Sequence, residues 1–145
     1  MKRLLLIFVL LCMIPLVSCD QIPSGKDIYD NVEEIAKQGD SYTYQSRVGN
    51  IIGHHATITF KGFSGADTII QLNQVKTYRV VCETTLQRGR FKVVLITPTL
   101  EVIELEDEME IEIDQSGYRI KLVGENATGT IDFNLIEIEA GGSES

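Results

Sequence analysis

His54 and His55 stand side by side and are the only imidazoles in the chain. Consecutive residues of an extended strand point to opposite faces, so the two do not converge on one ion unless Gly53 bends the backbone. A zinc site would also need further ligands at a spacing this sequence does not provide. The second concentration of donors is Glu101, Glu104, Glu106, Asp107, Glu108, Glu110, Glu112 and Asp114, eight carboxylates in fourteen residues. Oxygen-rich segments suit calcium, but the spaced Asp/Asn ligands and turn glycine of a calcium loop are missing. A solvated strand face with an acidic turn is expected for 101–114, with calcium left open. A thiol nucleophile needs a nearby base or cation, and neither histidine bears a sequence-visible relation to Cys82. In Tyr78-Arg79-Val80-Val81-Cys82 the alternation turns that thiol inward as a small hydrophobe. Gly-x-Ser-x-Gly, Ser-x-x-Lys, His-Glu-x-x-His and phosphate-loop patterns do not occur. We therefore expect no catalytic residue, no metal site, no cofactor and no enzyme activity.

A second cysteine-bearing pattern stands at the start of the chain. Lys2 and Arg3 precede an apolar run of eleven residues, Leu4 to Ile14, and then Pro15. A membrane-spanning helix needs roughly 20 apolar residues, whereas the apolar core of a secretory signal needs about 7–15. The run is of signal length. It ends in Leu16-Val17-Ser18-Cys19, which resembles the bacterial lipobox. That resemblance implies a diacylglyceryl group on the Cys19 thiol, cleavage before Cys19, acylation of the new terminus, and retention on the extracytoplasmic face of the cell membrane. Asp20 resembles the inner-membrane retention signal of Gram-negative envelopes. Gram-positive cells lack that sorting, and the type of envelope stays open.

Loss of residues 1–18 leaves 127 residues and removes Lys2 and Arg3, moving the formal charge from −8 to −10. Such a chain repels nucleic acid and anionic lipid headgroups, so no nucleic-acid role is expected. Cys12 leaves with the signal and Cys19 takes the lipid. Cys82 is then alone and no disulfide framework is possible.

These residues must be positioned by a fold of one domain. Residues 19–25, containing Pro23 and Gly25, suit a tether. In 26–39 the apolar residues Ile28, Val32, Ile35 and Ala36 recur at helical spacing, and Ser24, the early acids, Lys37 and Gly39 fit capping and dipole rules. An amphipathic helix is expected there, packed on the domain or acting as a spacer, since its polar face is acidic where membrane binders are basic. From residue 40 to 140 short Val/Ile/Thr/Tyr/Phe runs alternate with turns. Nine strands are expected: 42–47, 51–61, 67–72, 76–84, 90–97, 100–105, 109–113, 118–123 and 128–138. The last residues, 141–145, read as a tail. Met109, Ile111 and Ile113 face one way and the neighbouring carboxylates the other; Tyr118, Ile120 and Leu122 oppose Arg119, Lys121 and Val123. Phe60, Phe91, Phe133 and Tyr118 add bulk to the core. Even spacing of this kind argues for an all-β, antiparallel sandwich.

The stretch from Phe91 to Phe133, through Gly117-Tyr118-Arg119-Ile120 and Gly124, is similar to the back half of bacterial jelly-roll modules of the carbohydrate-binding and GOLD-like type. The matched positions Gly117, Tyr118, Gly124 and Gly129 are architectural, and the resemblance implies no ligand residue. Glycan-binding sandwiches depend on aromatic platforms. Here there is no Trp, and Tyr42, Tyr44, Phe63 and Tyr78 are the rings that could be exposed. Asn126-Ala127-Thr128 marks an exposed turn. Three functions stay open. The first is an interaction or accessory module docking on another envelope protein, signalled by an apolar patch or open sheet edge. The second is a glycan or small-ligand binder, and the third, least favoured, a hydrolase.

Overall fold

The computed structural model describes residues 28–139. The expected signal peptide 1–18, the expected lipidation at Cys19, the expected tether 19–25, the Ser24 cap and the tail 141–145 lie outside the described residues. Within them the chain forms one short helix, α1 (Val32–Ala36), and seven strands: β1 (Ser41–Thr43), β2 (Ser46–Ile52), β3 (His55–Leu72), β4 (Lys76–Ile96), β5 (Val102–Glu104), β6 (Glu110–Ile113) and β7 (Tyr118–Ile138). All pairing is antiparallel. The order is β1-β3-β7-β4-β5, with β2 added to β3 and β6 to β4.

Three strands are 18, 21 and 21 residues long, far beyond the usual 3–10. Each is two expected strands fused. The breaks expected near 62–66, 85–89 and 124–127 are bulges inside continuous strands, with register shifts at Phe60/Phe63/Gly65 in β3 and Leu86/Arg88/Arg90 in β4. Bulges bend a strand and increase its twist. Here they lie side by side and fold the sheet into two layers. The first layer is β2, 55–61 of β3, 127–138 of β7, 76–86 of β4 and β6. The second is β1, 63–72, 118–124, 90–96 and β5. Glycine permits the fold line. Gly89 takes φ +77, and a Cβ on Gly124 would meet the Phe63 ring, with Cε1 at 2.8 Å.

The layers enclose one core. Ala56, Ile58, Phe60, Val80, Ile131, Phe133 and Leu135 of the first meet Phe63, Leu72, Val93, Leu95, Tyr118, Ile120 and Leu122 of the second. Phe60 stacks on Phe91 at 4.7 Å and Phe63 on Tyr44 at 4.4 Å between ring centroids. Phe60, Phe133 and Tyr118 are buried as expected, while Phe91 is half-buried. The expected alternation holds in β6, where Ile111 and Ile113 are buried and Glu110 and Glu112 exposed.

Two further expectations are corrected. The helix of 26–39 contracts to Val32–Ala36, because Asn31 is extended and caps it by accepting from Glu34 N at 3.2 Å. The run 51–61 is not one strand. Gly53, at φ +60, turns the chain between β2 and β3.

The short helix belongs to a second cluster in which Ile28, Ile35 and Ala36 cover Ala66, Val94, Ile96 and Val123. These sheet residues alternate with those of the main core, so segment 28–40 lies on the outer face of the second layer. The equivalent face of the first layer is open, and Thr57, Thr59, Glu83, Thr85, Thr130 and Asp132 are exposed on it.

Candidate interaction surface

The residues that sequence singled out for chemistry do not assemble. Gly53 does bend the chain, but it sends the histidines apart. His55 Nε2 lies 2.8 Å from Asp132 Oδ1 on the open face. His54 packs edge-on against Tyr78, 5.2 Å between centroids. Among the described residues no three His, Cys, Asp or Glu side chains come close enough to hold a metal ion. The carboxylates of 101–114 are all exposed. Three have partners: Asp107 accepts from Cys82 N at 2.8 Å, Asp114 accepts from Tyr118 Oη at 2.6 Å, and Glu108 Oε2 lies 3.7 Å from Arg79 Nε. Cys82 is half-buried against the core, and burial pushes its thiol pKa up despite the Thr84 hydroxyl. Of the rings proposed as a platform, Phe63 and Tyr78 are buried because the alternation of β3 and β4 turns them into the core, and Tyr44, between β1 and β2, is half-buried against Phe63. Tyr42 remains, 48% exposed.

What sequence missed is the clamp on segment 28–40. Lys121 is wholly buried. Its Nζ donates to Lys37 O at 2.7 Å and lies 3.2 Å from Asp40 Oδ1. Arg119 donates to Lys37 O and Ala36 O, both at 2.8 Å. Two cations thus satisfy carbonyls at the end of α1, where the helix leaves them unpaired. Burial lowers the Lys121 pKa against the opposing pull of Asp40. Burial raises that of Asp40, but hydrogen bonds from Thr68 and Lys121 outweigh it and hold the carboxyl below its ordinary value. At the other end Tyr29 lies between the Arg90 and Lys92 side chains, 4.2 and 4.3 Å from its ring centre. Arg90 also grips Asp30 with two bonds, 3.1 and 2.7 Å, and reaches Glu125. The signal for a covered face was the unbroken apolar run Val93-Val94-Leu95-Ile96, since only a strand buried on both faces reads so.

The sheet edges differ in their protection. Exposed strand edges invite pairing with other chains, and natural proteins blunt them by brevity or charge. β1 and β5 are three residues long, and β6 is four residues with two glutamates. β2 is not short, and it carries a single charge. It is seven residues, Ser-Arg-Val-Gly-Asn-Ile-Ile, every one exposed, and among the described residues it pairs with β3 and no other strand. Arg47 is its one ionisable residue, and it has no carboxylate in a chain with 21. Val48, Ile51 and Ile52 are 67%, 38% and 74% exposed. Register fixes their faces. Val48, Asn50 and Ile52 lie opposite Thr59, Thr57 and His55 on the open face, and Gly49 and Ile51 lie opposite buried Ile58 and Ala56.

Two shallow polar hollows adjoin one end of the layers, sharing Gln71 and Asn73. One, about 370 Å³, is lined by His54, Gln71, Leu72, Asn73, Gln74 and Tyr78. The other, about 260 Å³, adds Gln38, Tyr118 and Arg119. No helix among the described residues is long and apolar enough to cross a membrane. No protein-family model, curated protein or solved structure matches the chain, so the functional reading comes from its own residues.

Proposed function

We propose that this protein is a lipid-anchored, non-enzymatic interaction module on the extracytoplasmic face of a bacterial cell membrane, tethered through Cys19, that presents the β2 edge to another polypeptide. The lipobox-like Leu16-Val17-Ser18-Cys19 supports the anchor. The observation that carries the docking reading is the contrast among the edge strands β1, β2, β5 and β6, of which β2 is the longest, is uncharged except for Arg47, and bears exposed Val48 and Ile52. Strand addition gives affinity through main-chain hydrogen bonds and specificity through alternate side chains. Placement agrees with this. Residues 19–27 reach at most about 30 Å at about 3.5 Å per residue, and they lead into the clamp on the outer face of the second layer, whereas β2 belongs to the first.

A photo-crosslinking residue at Asn50 on living cells tests the proposal, with one at Glu110 on β6 as comparison. The expected result is a polypeptide adduct at position 50 that Ile52→Lys abolishes, with Cys19→Ala releasing the protein from membranes. Equal adducts at both positions would remove the docking reading, and membrane retention of Cys19→Ala would remove the anchor. The second reading, a glycan or small polar ligand, is favoured by the amide-lined hollow of Gln71, Asn73 and Gln74. Saturable binding of a glycan, lost in Gln71→Ala and kept in Ile52→Lys, would put it first.

A further inference from the structure

Resting on that reading of β2, we propose that the strand it accepts is β2 of a second copy, paired antiparallel about a two-fold axis at Asn50. On the open face β2 reads Val48, Asn50, Ile52, apolar-polar-apolar and symmetric about its centre. Directly opposed residues of an antiparallel pair share a face and pack together. With Asn50 facing Asn50, Val48 of each copy lies against Ile52 of the other. The most exposed aliphatic pair on this strand, 67% and 74% free, is covered twice over, and the two central amides hydrogen-bond. On the opposite face Ile51 meets Gly49. Shifting the axis to Gly49 sets Val48 against Asn50 and Arg47 against Ile51, and shifting it to Ile51 sets Asn50 against Ile52. The Asn50 register alone pairs apolar with apolar on both faces, and it is isologous, so the contact closes at two copies.

Charge points to the same edge. Each anchored chain, without residues 1–18, carries −10, so copies repel wherever acids meet. Pairing through β6 would bring Glu110 and Glu112 of both copies together. Pairing through β2 sets its only charge, Arg47, opposite Gly53, and no carboxylate faces another. The product is a continuous sheet of ten strands across the first layers of both copies. Its contact is small: seven residues at about 3.3 Å each span about 23 Å, a contact of a few hundred Å², under the roughly 1,200 Å² of a stable free interface. The dimer is therefore weak in dilute solution and fills when anchoring confines both copies to one membrane and raises their effective concentration.

The test is disulfide capture in membranes, using the full chain with Cys82→Ser as parent. Opposed Cα atoms of an antiparallel pair are about 4.5–5.5 Å apart, within disulfide reach. Asn50→Cys is expected to gain an oxidised dimer. Val48→Cys and Ile52→Cys are each expected to give none alone and to give one when co-expressed. Adding Ile52→Lys to Asn50→Cys should abolish the band. No dimer from Asn50→Cys, a disulfide to a different protein, or equal self-capture at 48, 50 and 52 would overturn the proposal. Dimerisation of the parent itself would expose a free Cys19 thiol and fail the anchor. Peptide mapping identifies the position-50 disulfide, so the two readings fail separately.

Discussion

Replacing Lys121 with Met tests how segment 28–40 is held to the sheet. Methionine keeps the length and apolar stem of lysine and removes only the ammonium. That group sits 3.2 Å from Asp40 Oδ1 and donates to Lys37 O at 2.7 Å, with no surface of its own in water. At an effective dielectric of about 20 the Coulomb attraction at that distance is about 5 kcal/mol, offset by several kcal/mol for drying the ammonium. Removing one member of a buried pair costs about 3–5 kcal/mol, because the other charge is left uncompensated. Asp40 keeps two bonds from Thr68, at 3.0 and 2.7 Å, and its side chain is 26% exposed. The expected loss is therefore at the low end, about 3 kcal/mol. For a domain of this size each kcal/mol moves Tm by about 4–6 °C, so the variant should melt about 12–18 °C lower, followed by circular dichroism and urea titration. The double variant Lys121→Met/Asp40→Asn should recover about 1–2 kcal/mol of the summed single losses, the signature of a coupled pair. A Lys121→Met protein within about 0.5 kcal/mol of the parent, or strictly additive losses, would refute the clamp.

Asp40 also sets a pH dependence. Its folded pKa lies below the ordinary 3.8, so its contribution is fully present above the unfolded value and is lost as pH falls through the folded one. The stability gap between parent and Asp40→Asn should stay constant above about pH 5 and close below 3.8, read from melts across pH. Gly124→Ala should destabilise by about 1–3 kcal/mol, because its Cβ enters the Phe63 ring and a bent sheet cannot yield there without opening the core; the urea midpoint measures it, and combination with Phe63→Leu should relieve part of the loss. Arg90→Ala breaks the exposed ion pairs to Asp30 and Glu125 together with the contact on the Tyr29 ring, and should lower Tm far less than Lys121→Met, by an amount that shrinks further in high salt. Cys82, its thiol pKa raised by burial, should react with a disulfide reagent at pH 8 far more slowly in the folded chain than in denaturant, measured in a chain whose other two cysteines are serine.

The sequence by itself determined the strand class and most of the core. β-branched and aromatic residues at period two can bury one face only as strands, which is why Ile111, Ile113, Ile120, Leu122 and Phe133 are legible as inward residues. It also marked the glycines on which the sheet bends, although their role was read as turns between separate strands, because a bulge and a turn use the same residue types. Tertiary structure alone decided the rest. Lys121 alternates with core residues as a solvent-facing lysine would, and it is buried only because segment 28–40, remote in sequence, lies across it. Phe63 and Tyr78, which sequence offered as exposed rings, turn inward for a similar reason: the facing layer arrives from another part of the chain. The open edge of β2 is the clearest case. Its residues are ordinary for a strand, and which strand lacks a neighbour depends on pairings with strands far along the chain. Periodicity specifies the face of a residue, and only the assembled sheet specifies what covers it.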